Sequence, residues 1–401
     1  MALAHGSGIT TDGLVLAYDN GSSQSWKGAP TTNLIDGYNP ETPASTMYWY
    51  YSSGNQYFTK SNVLEDEVNG YYYADVYITT SSQSGYYNGQ LYTGGVTINS
   101  GSYYSISAWV WTDRAFQLRL GMIKHGSPYT QYISMQAHQL ETGWNYVVTS
   151  TSSAMSATYT DARFEMAFGY APAGTHLKIY KPQVEAYSFA TPFTPTSRST
   201  TQALTDWVGS QTITMLSLTD YNSDNTFSFD GTNNTDRGIY LPSQDLNGSY
   251  SVEAWFKFDT GGTTQGIIGD YQYGWYRFTL STNNQIYAGH LQSSSPWVSN
   301  FLTAPTQLST GTWHHAVHVF DQSAGMRIYI NGELDVSNTN TANFTLTGRG
   351  PQYVGQDRNS SPSTRNNLDG TVPVLRIYKN KALSAAEVAK NYNALRGRFG
   401  V

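Results

Sequence analysis

The sequence predicts an all-β chain: two β-sandwiches, the first inserted in the second, closed by a short C-terminal helix. One order of segments appears twice. Gly101-Ser-Tyr-Tyr-Ser-Ile-Ser-Ala-Trp109-Val-Trp111 is echoed by Gly248-Ser-Tyr-Ser-Val-Glu-Ala-Trp255-Phe-Lys-Phe258. Thr142-Gly-Trp144-Asn-Tyr-Val-Val is echoed by Thr312-Trp313-His-His-Ala-Val, and Leu177-Lys-Ile-Tyr-Lys181 by Leu375-Arg-Ile-Tyr-Lys379. Each echo alternates or is apolar and aromatic, as strands are, and the shared order points to two sandwiches of related construction. Turn signals break up the rest of the chain. Asn69-Gly70, Asn88-Gly89, Asn247-Gly248 and Asn331-Gly332 pair residues that tolerate positive φ. Long helical patterns are nearly absent before the C-terminus.

Taken in order, Gly13-Leu-Val-Leu-Ala-Tyr-Asp19 is strand-like but has no hairpin partner nearby. Two Pro/Thr-rich segments follow, Lys27 to Thr32 and Thr191 to Arg198. The first sandwich lies between them, at 31–197. The orphan strand then belongs, with 1–30, to the second sandwich at 198–401. The alternative is an N-terminal arm followed by two domains in series. Asn331-Gly332, between Arg327-Ile-Tyr-Ile330 and Glu333-Leu-Asp-Val336, is the clearest hairpin. Ser384-Ala-Ala-Glu387 is a capping box, followed by Val388, Tyr392 and Leu395 at helical spacing.

The 401 residues suit two domains. Charged residues make up 12%, about half the usual quarter, while Tyr numbers 33 and Gly 37. Such a surface is polar through hydroxyls, amides and phenols, which suits carbohydrate contact or intimate assembly. Net charge −6 with no basic run argues against nucleic acid. With 0 cysteines there is no disulfide framework. No stretch has the length of a membrane span, and no signal peptide is visible at Met1-Ala-Leu-Ala-His-Gly-Ser-Gly8. A surface of extracellular character without an export signal fits a virion protein, made in the host cytoplasm and displayed outside after lysis.

A resemblance supports this. Phe227-Ser-Phe-Asp-Gly231, Tyr250 to Phe256, Thr312 to Val317, Ile328 to Leu334 and Leu368 to Tyr378 resemble the concanavalin A-like (laminin G/pentraxin-type) jelly roll. Gly8 to Asp19, and the ending Ala382 to Asn393, look like the opening and close of that domain in tailed-phage structural proteins. The inserted segment is similar to carbohydrate-binding-module jelly rolls of phage tail and head proteins. The matching residues are Thr32-Asn-Leu-Ile35 and Pro182 to Phe193. The resemblance implies fold more than function, because this fold hosts lectins, glycanases and scaffolds alike.

Glu333-Leu-Asp335-Val-Ser337 is the main enzymatic candidate. Retaining β-glucanases of this fold carry three carboxylates on alternate strand residues. Here Ser337 stands in the third place and cannot act as the acid. A hairpin arm explains the same residues, and no catalytic residue is expected. His314, His315 and His318 form a cluster, but His314 and His318 would stand about 13 Å apart, too far for one metal. They read as hydrogen-bonded structural residues. Glu65-Asp66-Glu67 reads as a solvated loop. No cofactor is expected beyond a candidate structural calcium. The resembled families often hold calcium through loop oxygens, and Asp230, Asp357 and Asp369 lie in Gly/Asn-rich surroundings.

Aromatics are the better candidates, because sugar rings present apolar C–H faces to Trp and Tyr. Tyr48, Trp49, Tyr50, Tyr51, Tyr86, Tyr87, Tyr271, Tyr273, Trp275 and Trp297 cluster in loop-like segments. They suit glycan contact, a subunit interface or plain packing. Trp109 and Trp255, at equivalent echo positions, read as architectural. The expectation is a bacteriophage virion surface protein (head decoration, fibre or tail-associated) with other virion proteins as partners. It forms a homo-oligomer, a trimer first, and adheres to glycan; the alternative is a glycan-degrading enzyme.

Overall fold

The computed structural model describes residues 8–35, 58–66, 71–79, 90–93, 95–124, 130–209, 211–233, 235–244, 246–270, 276–294, 297–342, 352–357 and 365–401. The chain forms two compact units. One joins Met1–Ala29 with Ser199–Val401, the flanking unit; the other is Pro30–Arg198, the inserted unit.

The inserted unit has two five-stranded sheets. The first runs Gly143–Ser150, Ser105–Thr112, His176–Glu185, Tyr71–Ile78, Phe58–Asp66. The second runs Gln90–Tyr92, Tyr159–Ala167, Phe116–Lys124, Thr130–Leu140, with Val96–Ile98 also on Tyr159–Ala167. Alternation sorts the side chains. Ile106, Ala108, Val110, Leu177 and Ile179 of the first sheet meet Leu118, Leu120, Met122, Phe164 and Met166 of the second in one core. Glu65 and Asp66, expected in a solvated loop, instead end a strand, opposite Tyr72 and Tyr71.

The flanking unit is a larger sandwich. Its eight-stranded sheet runs Asp220–Tyr221, Phe227–Asp230, Asp369–Lys379, Tyr250–Phe258, His314–Asp321, Gly325–Ile330, Glu333–Ser337. Leu14–Asp19, the strand without a local partner, completes it by pairing antiparallel with Asp369–Lys379. The facing sheet contains Gln352–Val354, Gln265–Asp270, Tyr276–Leu280, Gln285–Ser294 and Trp297–Gln307, with two short strands at its other edge. Leu16, Phe229, Val252, Phe256 and Ile377 close on Ile268, Phe278 and Ile286 between the sheets.

The helix Ala385–Phe399 starts at the expected capping box. Ser384 Oγ accepts from the Glu387 N–H, and the Glu387 carboxylate accepts from the Ser384 N–H. It ends at Gly400, whose φ of 73° gives the left-handed cap. Asn331 and Gly332, at φ 47° and 85°, make the expected tight hairpin.

The repeated segments occupy the same place in both units. Gly143–Ser150, Ser105–Thr112 and His176–Glu185 are neighbours in one sheet; His314–Asp321, Tyr250–Phe258 and Asp369–Lys379 are neighbours in the other. Trp109 lies opposite Tyr146 as Trp255 lies opposite His315.

Candidate functional site

In each unit the repeated strands turn one face to the core and the other outward. The two outward faces end differently. In the flanking unit the helix Ala385–Phe399 covers it. Trp255 is 0% exposed, stacked between Phe399, at 4.4 Å, and Tyr392, at 5.7 Å. Val388, Leu395 and Phe399 of the helix are buried against this face.

In the inserted unit the cover reaches only part of the face. The segment after His176–Glu185 folds back over Ser105, Ser107, Gln183 and Glu185. The buried Glu185 carboxylate accepts from the Thr191 N–H and Oγ1–H at 2.7 Å each, and Gln183 Oε1 accepts from the Thr194 N–H at 2.8 Å. Beyond this cover, among the described residues, the face carries exposed rings. Trp109 is 39% exposed, Trp144 45% and Tyr146 46%. Trp111 and Tyr180 are half-buried on the same face. Two pairs of these rings meet: Trp109 and Tyr146 centroids are 5.0 Å apart, and Trp144 and Tyr180 5.9 Å, while Trp111 stands opposite Trp144.

Cations edge this surface, with Lys178 Nζ 5.2 Å from the Trp111 ring and Lys181 Nζ 4.8 Å from Tyr180. Lys181 has a φ of 53° where the strand register shifts, so the bulge turns its side chain back over the aromatics. Trp109, read from sequence as architectural, is therefore a surface residue. The alternation in Trp109-Val-Trp111 and Trp144-Asn-Tyr146 puts four rings on one side, but it does not say whether that side is covered.

The flanking unit has its own recess on the equivalent face. A pocket of about 380 Å³ opens beside the C-terminal end of the helix, walled by Trp313, Phe399 and Arg398. Asn222, Asp224, Ser228, Lys257, Asp259 and Thr371 supply its polar lining.

Residues 230–389 match the family model of the concanavalin A-like lectin/glucanases superfamily. The flanking unit carries a concanavalin A-like domain. No curated protein matches the chain. Among solved structures, a Trypanosoma rangeli sialidase in complex with the inhibitor DANA is similar at 15% identity, covering 47% of this chain and 30% of its own, with a TM-score of 0.34. Domain 4 of a GH43 extracellular arabinanase from Geobacillus stearothermophilus, in complex with arabinotriose, is similar at 21% identity over 48% of this chain and 93% of its own, with a TM-score of 0.35. The botulinum neurotoxin serotype D ligand-binding domain, in complex with N-acetylneuraminic acid, is similar at 17% identity over 49% of each chain, with a TM-score of 0.36.

The concanavalin A-like domain separates the histidines of the His314, His315 and His318 cluster by face. His315 points under the helix, where Nε2 lies 3.2 Å from Glu253 Oε1. His314 and His318 point into the core, beside Phe256 and Tyr250. His318 lies 3.4 Å from the Tyr276 hydroxyl, and burial lowers its pKa to about 3. The Glu333 strand departs from strict alternation: the register shifts so that Asp335 stands between the pairs made by Leu334 and Val336. Asp335 accepts from Thr306 Oγ1, at 2.5 Å, and from its N–H.

The calcium candidates do not share one loop. Asp230 and Asp369 face each other across a strand pair, and Asp230 binds Arg237 at 2.7 Å. Asp357 is buried on Arg277. No group of three or more His, Asp or Glu able to hold a metal occurs among the described residues. Tyr48, Trp49, Tyr50, Tyr51, Tyr86, Tyr87, Tyr271, Tyr273 and Trp275 lie outside the described residues. Trp297 opens a strand opposite Ser294, and its side chain lies outside them too.

Proposed function

We propose that this chain is a non-catalytic surface protein of a bacteriophage virion, and that its inserted sandwich adheres to glycan. The open face of Trp109, Trp111, Trp144, Tyr146 and Tyr180 is the observation that supports adhesion. An isolated exposed aromatic needs no explanation, but a contiguous set on a flat sheet does. Strands stand about 4.8 Å apart, so rings from three neighbours give a platform on which successive sugars of an extended chain can stack. The nearby Lys178 and Lys181 provide donors for hydroxyls. The virion placement rests on the residues resembling tailed-phage domains at both ends of the chain. Partners are other virion proteins and copies of the same chain, a trimer first.

Affinity electrophoresis of the full chain in gels carrying β-glucans, alginate or host-envelope polysaccharide tests the adhesion. At least one polysaccharide should retard the protein, and Trp109→Ala with Trp144→Ala should weaken binding more than tenfold while circular dichroism stays unchanged. No retardation on any polysaccharide overturns the adhesion. Release of reducing ends that Glu333→Gln abolishes replaces the proposal with a glycanase. Antibody against the chain should label intact particles by electron microscopy; label confined to the soluble fraction of a lysate removes the virion placement.

A further inference from the structure

We propose that the pocket beside Trp313 is a second sugar site, which takes the single terminal pyranose of a glycan. It uses none of the residues of the open face, so the two sites stand or fall separately.

The pocket's volume of about 380 Å³ lies within the range of small-molecule sites. Its apolar side is a corner. The half-buried Trp313 ring meets Phe399 at 4.7 Å and 52°. Lys257 Nζ lies 5.6 Å from the Trp313 ring and 3.9 Å from Asp259 Oδ1, so a cation and a carboxylate stand together at the rim. Opposite them, Asn222 donates to Thr226 Oγ1 at 3.2 Å and to Ser228 Oγ at 3.3 Å, and Asp224 accepts from the Thr226 hydroxyl. These bonds fix the polar wall before any ligand arrives, which lowers the ordering cost of binding. The lining thus pairs one aromatic wall with donors and acceptors of both signs. A pyranose has the matching surface: an apolar C–H face, and hydroxyls that both give and accept. An anion would meet Asp224 and Asp259, and a purely apolar ligand would strand the amide and carboxylates.

The restriction to a terminal sugar comes from the duplication. Trp313 corresponds to Trp144, the exposed ring at the border of the open face. In the flanking unit the end of the helix stands beside it. Phe399 and Arg398 close the direction in which a chain would continue. Arg398 is held there by Asp19, at 2.5 Å, and by Asn20, at 2.7 Å. The same position of the repeat therefore serves an open platform in one unit and a closed end in the other.

Tryptophan fluorescence and saturation-transfer NMR of the full chain test this with the methyl pyranosides of glucose, galactose, mannose and N-acetylglucosamine. At least one should bind at millimolar concentration. Trp313→Ala should abolish that binding, and Asn222→Ala should weaken it about tenfold, roughly 1.4 kcal/mol. Trp109→Ala should leave it unchanged. Asn222→Ala guards against loss of fold, because its side chain is only half-buried and the variant should still melt cooperatively. No binding of any pyranoside overturns the proposal. So does binding that survives both Trp313→Ala and Asn222→Ala, or that is lost in Trp109→Ala.

Discussion

Glu253 shows how a single residue secures the helix over its sheet. Its Oε1 takes Arg376 and His315, and its Oε2 takes Asn391 of the helix at 2.7 Å and Tyr378 at 3.3 Å. Asn391 Oδ1 accepts from the Thr10 N–H at 2.7 Å. Burial alone would raise the Glu253 pKa, but Arg376 and the bonds from His315 and Asn391 outweigh it and hold it at about 2. The ordinary value is 4.5, so the group's stabilisation is complete above that pH and is lost as pH falls through 4.5 toward 2. Glu253→Ala leaves Arg376 buried without its partner and should cost about 3–5 kcal/mol, read as a lower denaturant midpoint at neutral pH. Glu165 is the opposite case. Both its carboxylate oxygens are buried without partners, and burial raises its pKa from 4.5 to about 8. The folded chain keeps a proton there that the unfolded chain releases, so stability falls as pH rises from 4.5 to 8. Glu165→Gln should raise the melting temperature above pH 8 and change it little below 4.5; an equal shift at both ends would show that the carboxylate titrates normally.

At the scale of elements, the helix Ala385–Phe399 decides which aromatic face is closed. Ser384→Ala removes its capping hydroxyl and should cost about 1 kcal/mol, measured by chemical denaturation. Asn331-Gly332 and Ser384 to Glu387 were legible because turn and cap chemistry is local: each needs residues within three positions of one another. The partner of Leu14–Asp19 was legible for a different reason, since a strand with no hairpin must pair at a distance. The closing of Trp255 and the opening of Trp109 were not legible. The two stand at equivalent echo positions, and the difference is made by Tyr392 and Phe399, far along the chain. The pocket is harder still. Asn222, Lys257, Trp313, Thr371 and Arg398 come from five separate segments, and nothing local in any one of them announces the others. The Glu333 strand misled in a smaller way, because alternation assumes an unbroken ladder and the register shift at Asp335 breaks it.

At the scale of the whole molecule, the insertion begins and ends at one place. Thr31–Thr32 pairs with Ser197–Arg198 inside the inserted unit, so its two ends lie side by side. Within the flanking unit, Trp26 bridges Leu204, and the Lys27 N–H donates to the Ala203 carbonyl at 2.8 Å. The flanking core draws on Leu16 and Tyr18 from before the insertion and on Leu204 and Ile213 from after it. Among the described residues, each unit therefore builds its own core, which is the condition for independent folding. Replacing 30–198 by a short Gly-Ser bridge should give a chain that melts cooperatively and retains strand circular dichroism. It should lose polysaccharide retardation, because the open face goes with the insert, yet keep the pyranoside response at Trp313. An excised chain that aggregates or shows no cooperative melt would mean that the sandwich needs its insert to fold. Retained polysaccharide binding would instead move adhesion to the concanavalin A-like domain.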